Sequence, residues 1–210
     1  MAEQKPRIAG LYFITVNDPA RGRGHLDCAK AALEGGARII QLRDKDISIP
    51  ELTELAKEMR QLTRQYGALL FINDRLDVAL EVEADGVHVG QDDMPVEVIR
   101  HVASSRMLIG LSVSTVEEAK EAELAGADYL GVGCIYPTGS KDDASPAQGT
   151  NIICDIKAAS KLPIIAIGGI NAINVPAVLE AGADGFAVIS AITAAPDMVA
   201  ATKNLVTLIG

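Results

Sequence analysis

Glu83-Ala-Asp-Gly-Val-His-Val89 closes one helix-like stretch and opens one apolar run, and the pattern returns along the chain. Glu34-Gly-Gly-Ala-Arg-Ile-Ile40, Leu124-Ala-Gly-Ala-Asp-Tyr-Leu130 and Glu180-Ala-Gly-Ala-Asp-Gly-Phe186 repeat it. Glycine at such a junction ends the helix and admits a tight turn into the next strand. Short apolar runs alternating with 3.6-period segments mean βαβ units and a parallel sheet. Working outward from these phrases gives eight expected strands: Ile8–Thr15, Ala37–Leu42, Leu69–Asn73, Gly86–Val89, Met107–Val113, Tyr129–Ile135, Pro163–Ile167 and Gly185–Ile189. The helices between them are expected at Leu26–Glu34, Pro50–Tyr66, Asp77–Val82, Pro95–Ala103, Val116–Ala125, Ile152–Ala159 and Val175–Glu180, with a last one at Met198–Leu208. Several strands are apolar almost throughout, as burial on both faces requires. Eight such units predict a single α/β domain over residues 1–210, a (β/α)8 TIM barrel with its site at the C-terminal ends of the strands. The alternative is an open doubly wound sheet. The first βα turn lacks the GxGxxG fingerprint that would favour it.

The composition narrows the partners. Of the 210 residues, 49% are hydrophobic, enough for a core that needs no disulfide staples. Cys28, Cys134 and Cys154 are isolated, odd in number and without zinc spacing, which reads as reduced thiols in a cytoplasm. The opening MAEQKPRIAG holds no apolar signal core, and no stretch approaches a membrane span, so no membrane is expected. The net charge of −9, the absence of Trp and the 3% aromatic content argue against nucleic acid. Oligomeric state stays open, a homo-oligomer included.

Seven of the apolar runs end in polar, charged or glycine residues. Gln41-Leu-Arg-Asp-Lys45, Asn73-Asp-Arg75, Gly90-Gln-Asp-Asp93, Ser112-Val-Ser114, Pro137-Thr-Gly-Ser-Lys141, Gly168-Gly-Ile170 and Ile189-Ser190 would all meet on one face of a closed barrel. Cations, carboxylates, hydroxyls and glycine turns together suit a phosphorylated small molecule with a metal ion. Gly168-Gly169 and Ile189-Ser190, at the last two strand ends, occupy the usual phosphate position of this fold. In the turn after the sixth strand, Thr138 and Ser140 can hydrogen-bond phosphate, and Lys141 can neutralise it. The stretch running on to Gln148 is long, and such loops often close over a site.

Each assignment has a plainer rival. Asp74 and Asp93 follow consecutive strands and could hold one Mg²⁺ with waters and substrate phosphates, or could cap two helices. Asp92 reads as a solvated cap. Gln41, Arg43 and Lys45 alternate and so face one side, as an anion grip or as an ion-pair network at the rim. His25, His88 and His101 show no metal spacing, and His88 lies in an apolar pattern as a packing histidine would. Met59, Met94 and Met107 read as core filler. No Ser-His-Asp or Cys-His nucleophile set is apparent.

Seven motifs, in order and across essentially the whole barrel, resemble those of the thiamine phosphate synthase family. They are Gln41-x-Arg43-x-Lys45, Asn73-Asp74, His88-x-Gly90-Gln91-x-Asp93, Gly110-x-Ser112, Pro137-Thr-x-Ser-Lys141, Gly168-Gly169-Ile170 and Val188-Ile189-Ser190. The resemblance implies a transferase joining 4-amino-2-methyl-5-hydroxymethylpyrimidine diphosphate to 4-methyl-5-(2-phosphoethyl)thiazole, giving thiamine phosphate and diphosphate by a dissociative, Mg²⁺-assisted route. It implies Asp74 and Asp93 as Mg²⁺ ligands. Gln41, Arg43, Lys45, Asn73, Ser112 and Lys141 would hold the pyrimidine diphosphate, with Arg43, Lys45, Ser112 and Lys141 catalytic. Thr138, Ser140, Gly169, Ile189 and Ser190 would hold the thiazole phosphate. Two positions depart from the pattern: Cys134 stands where Pro is expected, and Ser114 where many relatives carry His. In a sister family of thiazole tautomerases that His is thought to transfer protons, so its absence counts against the tautomerase reading. A non-catalytic phosphate sensor, the third reading, would need only the phosphate turns.

Overall fold

The computed structural model describes residues 5–140 and 146–209. Its strands are β1 Gly10–Ile14, β2 Ile39–Leu42, β3 Leu69–Asn73, β4 Gly86–Val89, β5 Leu108–Val113, β6 Tyr129–Val132, β7 Ile164–Ile167 and β8 Gly185–Val188. All are parallel and hydrogen-bonded in chain order, and β8 closes on β1 through Gly10 opposite Gly185 and Phe13 opposite Val188. The eight-stranded barrel is therefore present. Its strands start or stop one to three residues inside most of the expected ranges, because hydrogen-bonding neighbours rather than apolar runs set where a ladder ends.

The outer helices are α1 His25–Glu34, α2 Ile49–Gln65, α3 Leu76–Glu81, α4 Val96–Val102, α5 Val116–Ala125, α6 Asn151–Ala159, α7 Val175–Glu180, α8 Ser190–Thr193 and α9 Met198–Thr207. The short α8 and a 3₁₀ turn at Pro19–Arg21 were not expected; at three or four residues neither carries a readable period. Local chemistry fixes several ends. Ser48 and Glu51 form a reciprocal capping box on α2, Thr115 caps α5, and Gly126 ends α5 at φ 91°.

The recurring phrase has a structural purpose at the barrel floor. Its aspartates reach back to the preceding strand: Asp85 accepts from Leu70 N (2.8 Å), Asp128 from Ile109 N (2.8 Å) and Asp184 from Ile164 N (2.9 Å). Each also pairs with a cation of the helix before that strand, Arg60, Arg100 and Lys157 in turn. The clamp thus ties helix, strand and following strand together in three of the four copies of the phrase. The first copy has Arg38 there instead, donating to Ala37 O at 2.8 Å.

One apolar layer lies between sheet and helices, and a second fills the barrel. Inside, Tyr12, Phe71 and Tyr129 stack with ring centroids 5.5–6.0 Å apart. Glycines make the room. A Cβ on Gly110 would sit 2.1 Å from Tyr129 Cζ, and one on Gly86 would sit 2.3 Å from Phe71 Cε1. Met59 and Met107 are buried as expected, but Met94 is 42% exposed, on the polar β4–α4 turn. No helix among the described residues is long and apolar enough to cross a membrane.

Candidate active site

A cavity of about 400 Å³ opens at the C-terminal ends of the strands. Arg43, Lys45, Asn73, Asp74, Asp93, Ser112, Thr138, Ser140, Gly169, Ile189 and Ser190 all line it. Lys141 lies outside the described residues. Gln41 does not line the cavity: it is 1% exposed, in the interior layer beneath Arg43.

Asp74 and Asp93 sit at the mouth of β3 and β4. Asp74 has φ 59°, the left-handed region that Asp tolerates better than most residues, and its N–H donates to His88 O at 2.8 Å. Burial first, and then the facing Asp93 carboxylate, push the Asp74 carboxyl up to about 6, against the pull of Lys45 and Arg43. Lys45 Nζ lies 3.7 Å from Asp74 Oδ2. Neither aspartate caps a helix: the caps of α3 and α4 are Arg75 and Pro95, without side-chain bonds. The same finding corrects the reading of Asp92 as a cap; it is an exposed residue on the cavity wall. Asp93 is braced by Gly90 N, which donates to its Oδ2 at 2.8 Å.

Two facing carboxylates beside two cations fit a divalent ion. The ion would relieve the repulsion that raises Asp74, and two carboxylates completed by water and phosphate oxygens are the habit of Mg²⁺. Among the described residues no group of three or more His, Cys, Asp or Glu gathers to form a fuller protein cage.

The opposite wall is made of a glycine turn and hydroxyls. Gly168 and Gly169 have φ 104° and 61°, and a Cβ on Gly169 would lie 2.6 Å from Pro137 O. Only glycine lets the turn after β7 pass so close to the loop after β6. Ser140 Oγ donates to Ser190 Oγ at 3.0 Å, and Thr138 Oγ1 accepts from Ser140 N at 3.2 Å. Hydroxyls from the loop after β6 and from the start of α8 thereby converge beside the glycine turn.

Several contributors escaped the sequence reading. His88 packs, as expected, with its ring centroid 5.5 Å from that of Tyr129, but both its nitrogens are engaged as well. Nε2 lies 2.9 Å from Ser112 Oγ, and Nδ1 lies 2.9 Å from Tyr129 Oη. Gln91 Nε2 donates to Ser112 O at 2.6 Å. Glu118 of α5 accepts from Ser114 N (2.6 Å) and Oγ (3.0 Å), so the serine in the histidine position is tied to a helix. Asp44 turns away from the cavity and binds His25 Nε2 at 3.0 Å. Cys28, Cys134 and Cys154 are free thiols.

The family model described as "Thiamine monophosphate synthase" matches residues 11–192. A thiamine-phosphate synthase of Methanospirillum hungatei is 54% identical over 95% of this chain and 97% of its own. One from Methanocella arvoryzae is 48% identical over 95% and 94%. Among solved structures, a thiamine phosphate pyrophosphorylase from Pyrococcus furiosus superposes with a TM-score of 0.87 at 45% identity, covering 96% of this chain and 95% of that one. A 3-hexulose-6-phosphate synthase at 19% identity and TM-score 0.68 shares the fold alone.

Proposed function

The chain belongs to the thiamine monophosphate synthase family and is a transferase enzyme, and from that premise we propose the substrates and mechanism. The protein joins 4-amino-2-methyl-5-hydroxymethylpyrimidine diphosphate to 4-methyl-5-(2-phosphoethyl)thiazole and releases diphosphate. The observation that carries this reading is the two-sided cavity. Facing carboxylates with cations form one wall, and glycine and hydroxyl turns form the other.

On the first wall, Arg43 and Lys45 hold the diphosphate, and Asn73 and Ser112 orient the pyrimidine end. Lys141, outside the described residues, joins the cations by its place in the Pro-Thr-x-Ser-Lys motif. Asp74 and Asp93 would hold Mg²⁺, which supplies charge neutralisation for the departing diphosphate. On the second wall, Thr138, Ser140, Gly169, Ile189 and Ser190 hold the thiazole phosphate. The C–O bond of the pyrimidine methylene breaks first, with its electron pair leaving on diphosphate. The thiazole nitrogen then donates its pair to the methylene carbon. Such a route needs no protein nucleophile, only preorganised charge and a cavity that excludes water. A thiazole tautomerase would need a placed base, and position 114 offers a serine committed to Glu118. The free cysteines fit a reducing cytoplasm.

The test is diphosphate release measured with each substrate alone, with both, and with both plus a Mg²⁺ chelator. Release is expected only with both substrates and Mg²⁺. Release from the pyrimidine diphosphate alone at the full rate would overturn the reading.

A further inference from the structure

Seven strand ends build the cavity wall. Among the described residues, those lining it come from β2 to β8 and the segments that follow them, and none comes from β1 or the segment between β1 and α1. That segment is nonetheless tightly made. Asp18 N donates to Arg23 O at 2.8 Å and Arg23 N donates to Asp18 O at 2.9 Å, which closes a small hairpin that turns at Gly22 with φ 62°. Two side chains at its exit, Arg23 and His25, run in different directions.

His25, which is buried, reaches the turn after β2. Its Nδ1 lies 2.8 Å from Thr15 Oγ1 and its Nε2 lies 3.0 Å from Asp44 Oδ2. An ionised carboxylate only accepts, so Nε2 donates to it. Asp44 uses its other oxygen on its own turn, where Oδ1 accepts from Asp46 N at 2.9 Å and from Ile47 N at 3.3 Å. Burial disfavours the Asp44 charge, but these bonds and the one from His25 prevail and hold the carboxyl below its ordinary value. Asp44 is therefore a charged peg between Arg43 and Lys45, both of which line the cavity, and the peg is seated on His25.

Arg23 reaches the other wall. Its Nη1 donates to Thr193 O and, at 2.8 Å, to Ala195 O, and its Nη2 donates to Pro196 O at 3.4 Å. These carbonyls lie at and just past the C-terminal end of α8, where carbonyls have no partner within the helix. α8 is four residues long, and a single turn does not hold its shape unaided. It begins with Ser190, whose Oγ meets Ser140 in the cavity. The guanidinium thus secures the far end of the turn that presents this hydroxyl.

We propose that the segment between β1 and α1 braces both substrate walls from outside the cavity, with His25 positioning the turn that carries Arg43 and Lys45, and Arg23 positioning α8 and Ser190. The two side chains are two residues apart, so one short piece of chain sets where the two walls stand. Neither touches a substrate; each acts through another residue. Which substrate each variant affects rests on the assignment of the pyrimidine diphosphate and the thiazole phosphate to these walls. The brace itself does not.

The test begins without substrate, by residue-resolved amide hydrogen exchange, which reads local opening. His25→Leu removes both ring bonds and should speed exchange at Asp46 and Ile47 about fivefold or more, the scale of one lost hydrogen bond, with α8 unchanged. Arg23→Met should do the same at Ala194 and Ala195, which donate to Ser190 O and Ile192 O, with Asp46 and Ile47 unchanged. Unchanged exchange at these amides, or an equal rise at both walls from either variant, overturns the brace.

Kinetics then separate the two arms. His25→Leu should raise KM for the pyrimidine diphosphate about tenfold, the scale of one hydrogen bond to a charged group. KM for the thiazole phosphate should stay within about twofold, as for independent sites. Arg23→Met should show the opposite pattern. His25→Gln, whose amide nitrogen can stand where Nε2 does, should recover most of the first loss. A glutamine no better than leucine, or equal rises in both constants, overturns the positioning role. If His25→Leu does not fold, Thr15→Val removes only the hydroxyl at Nδ1 and should raise the same KM about threefold, a weaker loss of one bond; no change there overturns the proposal. If the wild type releases no diphosphate with both substrates present, the functional reading fails while the exchange measurements still decide the brace.

Discussion

Ser140 and Ser190 stand fifty residues apart in sequence, yet their Oγ atoms are 3.0 Å apart across the cavity mouth. The loop after β6 and the start of α8 are thus joined at the wall assigned to the thiazole phosphate. Either hydroxyl can turn from its partner to an anion. Ser140→Ala and Ser190→Ala should each raise KM for the thiazole phosphate about five- to tenfold, the worth of one hydrogen bond. The double variant should cost less than the product of the two, because they share one bond. Steady-state kinetics with the second substrate saturating decide it, and full additivity would separate the serines.

The carboxylate pair predicts a contrast between neighbours. Asp93→Asn should lower turnover by roughly 10²-fold or more, the scale for removing one preorganised charged group. Asp92→Asn should stay within about twofold, because Asp93 and not Asp92 is the carboxylate that presses on Asp74. Equal losses would mean that the metal pair is misassigned.

Metal affinity should follow pH through Asp74. Its carboxyl titrates at about 6 without metal, and Mg²⁺ competes with that proton. Affinity should be near its plateau at about pH 7.5 and weaken towards tenfold per unit as pH falls below about 6, where the protonated form accumulates. Calorimetric titration with Mg²⁺ and inorganic diphosphate checks this. A flat affinity from pH 7.5 to 5 would place the ion elsewhere.

Gly110→Ala should destabilise the barrel rather than the chemistry. Its Cβ would lie 2.1 Å from Tyr129 Cζ and 2.5 Å from His88 Nδ1. Overpacking of this kind costs about 1–3 kcal/mol. Urea unfolding should show a lower midpoint with an unchanged slope. A wild-type midpoint would mean that the ring stack yields freely.

The floor clamp predicts acid sensitivity. Burial of Asp184 disfavours its charge, but the bonds from Lys157, Ile164 N and Arg7 prevail and hold the carboxyl below its ordinary value. Its contribution is therefore full above the ordinary carboxylate range and is lost as pH falls through the lowered folded value. Asp184→Asn should cost roughly 1–3 kcal/mol near neutral pH. Its stability should also decline less steeply than that of the wild type below about pH 4. Parallel stability curves for the two proteins would argue that the clamp carries no charge-dependent energy.

What the sequence conveyed and what it withheld have physical reasons. The phrase ending at Val89 marks a helix end and a strand start, both local events, so the strand count could be read. Asp74 and Asp93 follow consecutive strands, and parallel pairing alone brings their backbones together. The contact between Tyr12 and Tyr129 could not be read, because the two are 117 residues apart and sit in patterns that look merely apolar. Arg43 and Gln41 share a side, as alternation requires, but only the closed barrel tells which layer meets the cavity and which lies beneath it. The floor aspartates looked like part of a turn until their partners on neighbouring elements were visible.

The ring stack also gives the molecule an optical label of its own. The chain has no tryptophan and four tyrosines, and two of these, Tyr12 and Tyr129, are locked side by side at the centre of the barrel. Their near-ultraviolet dichroism reports whether the interior is intact, with no fluorophore attached. Because His88 couples that pair to the cavity wall, a molecule entering the mouth should alter a signal generated deep inside.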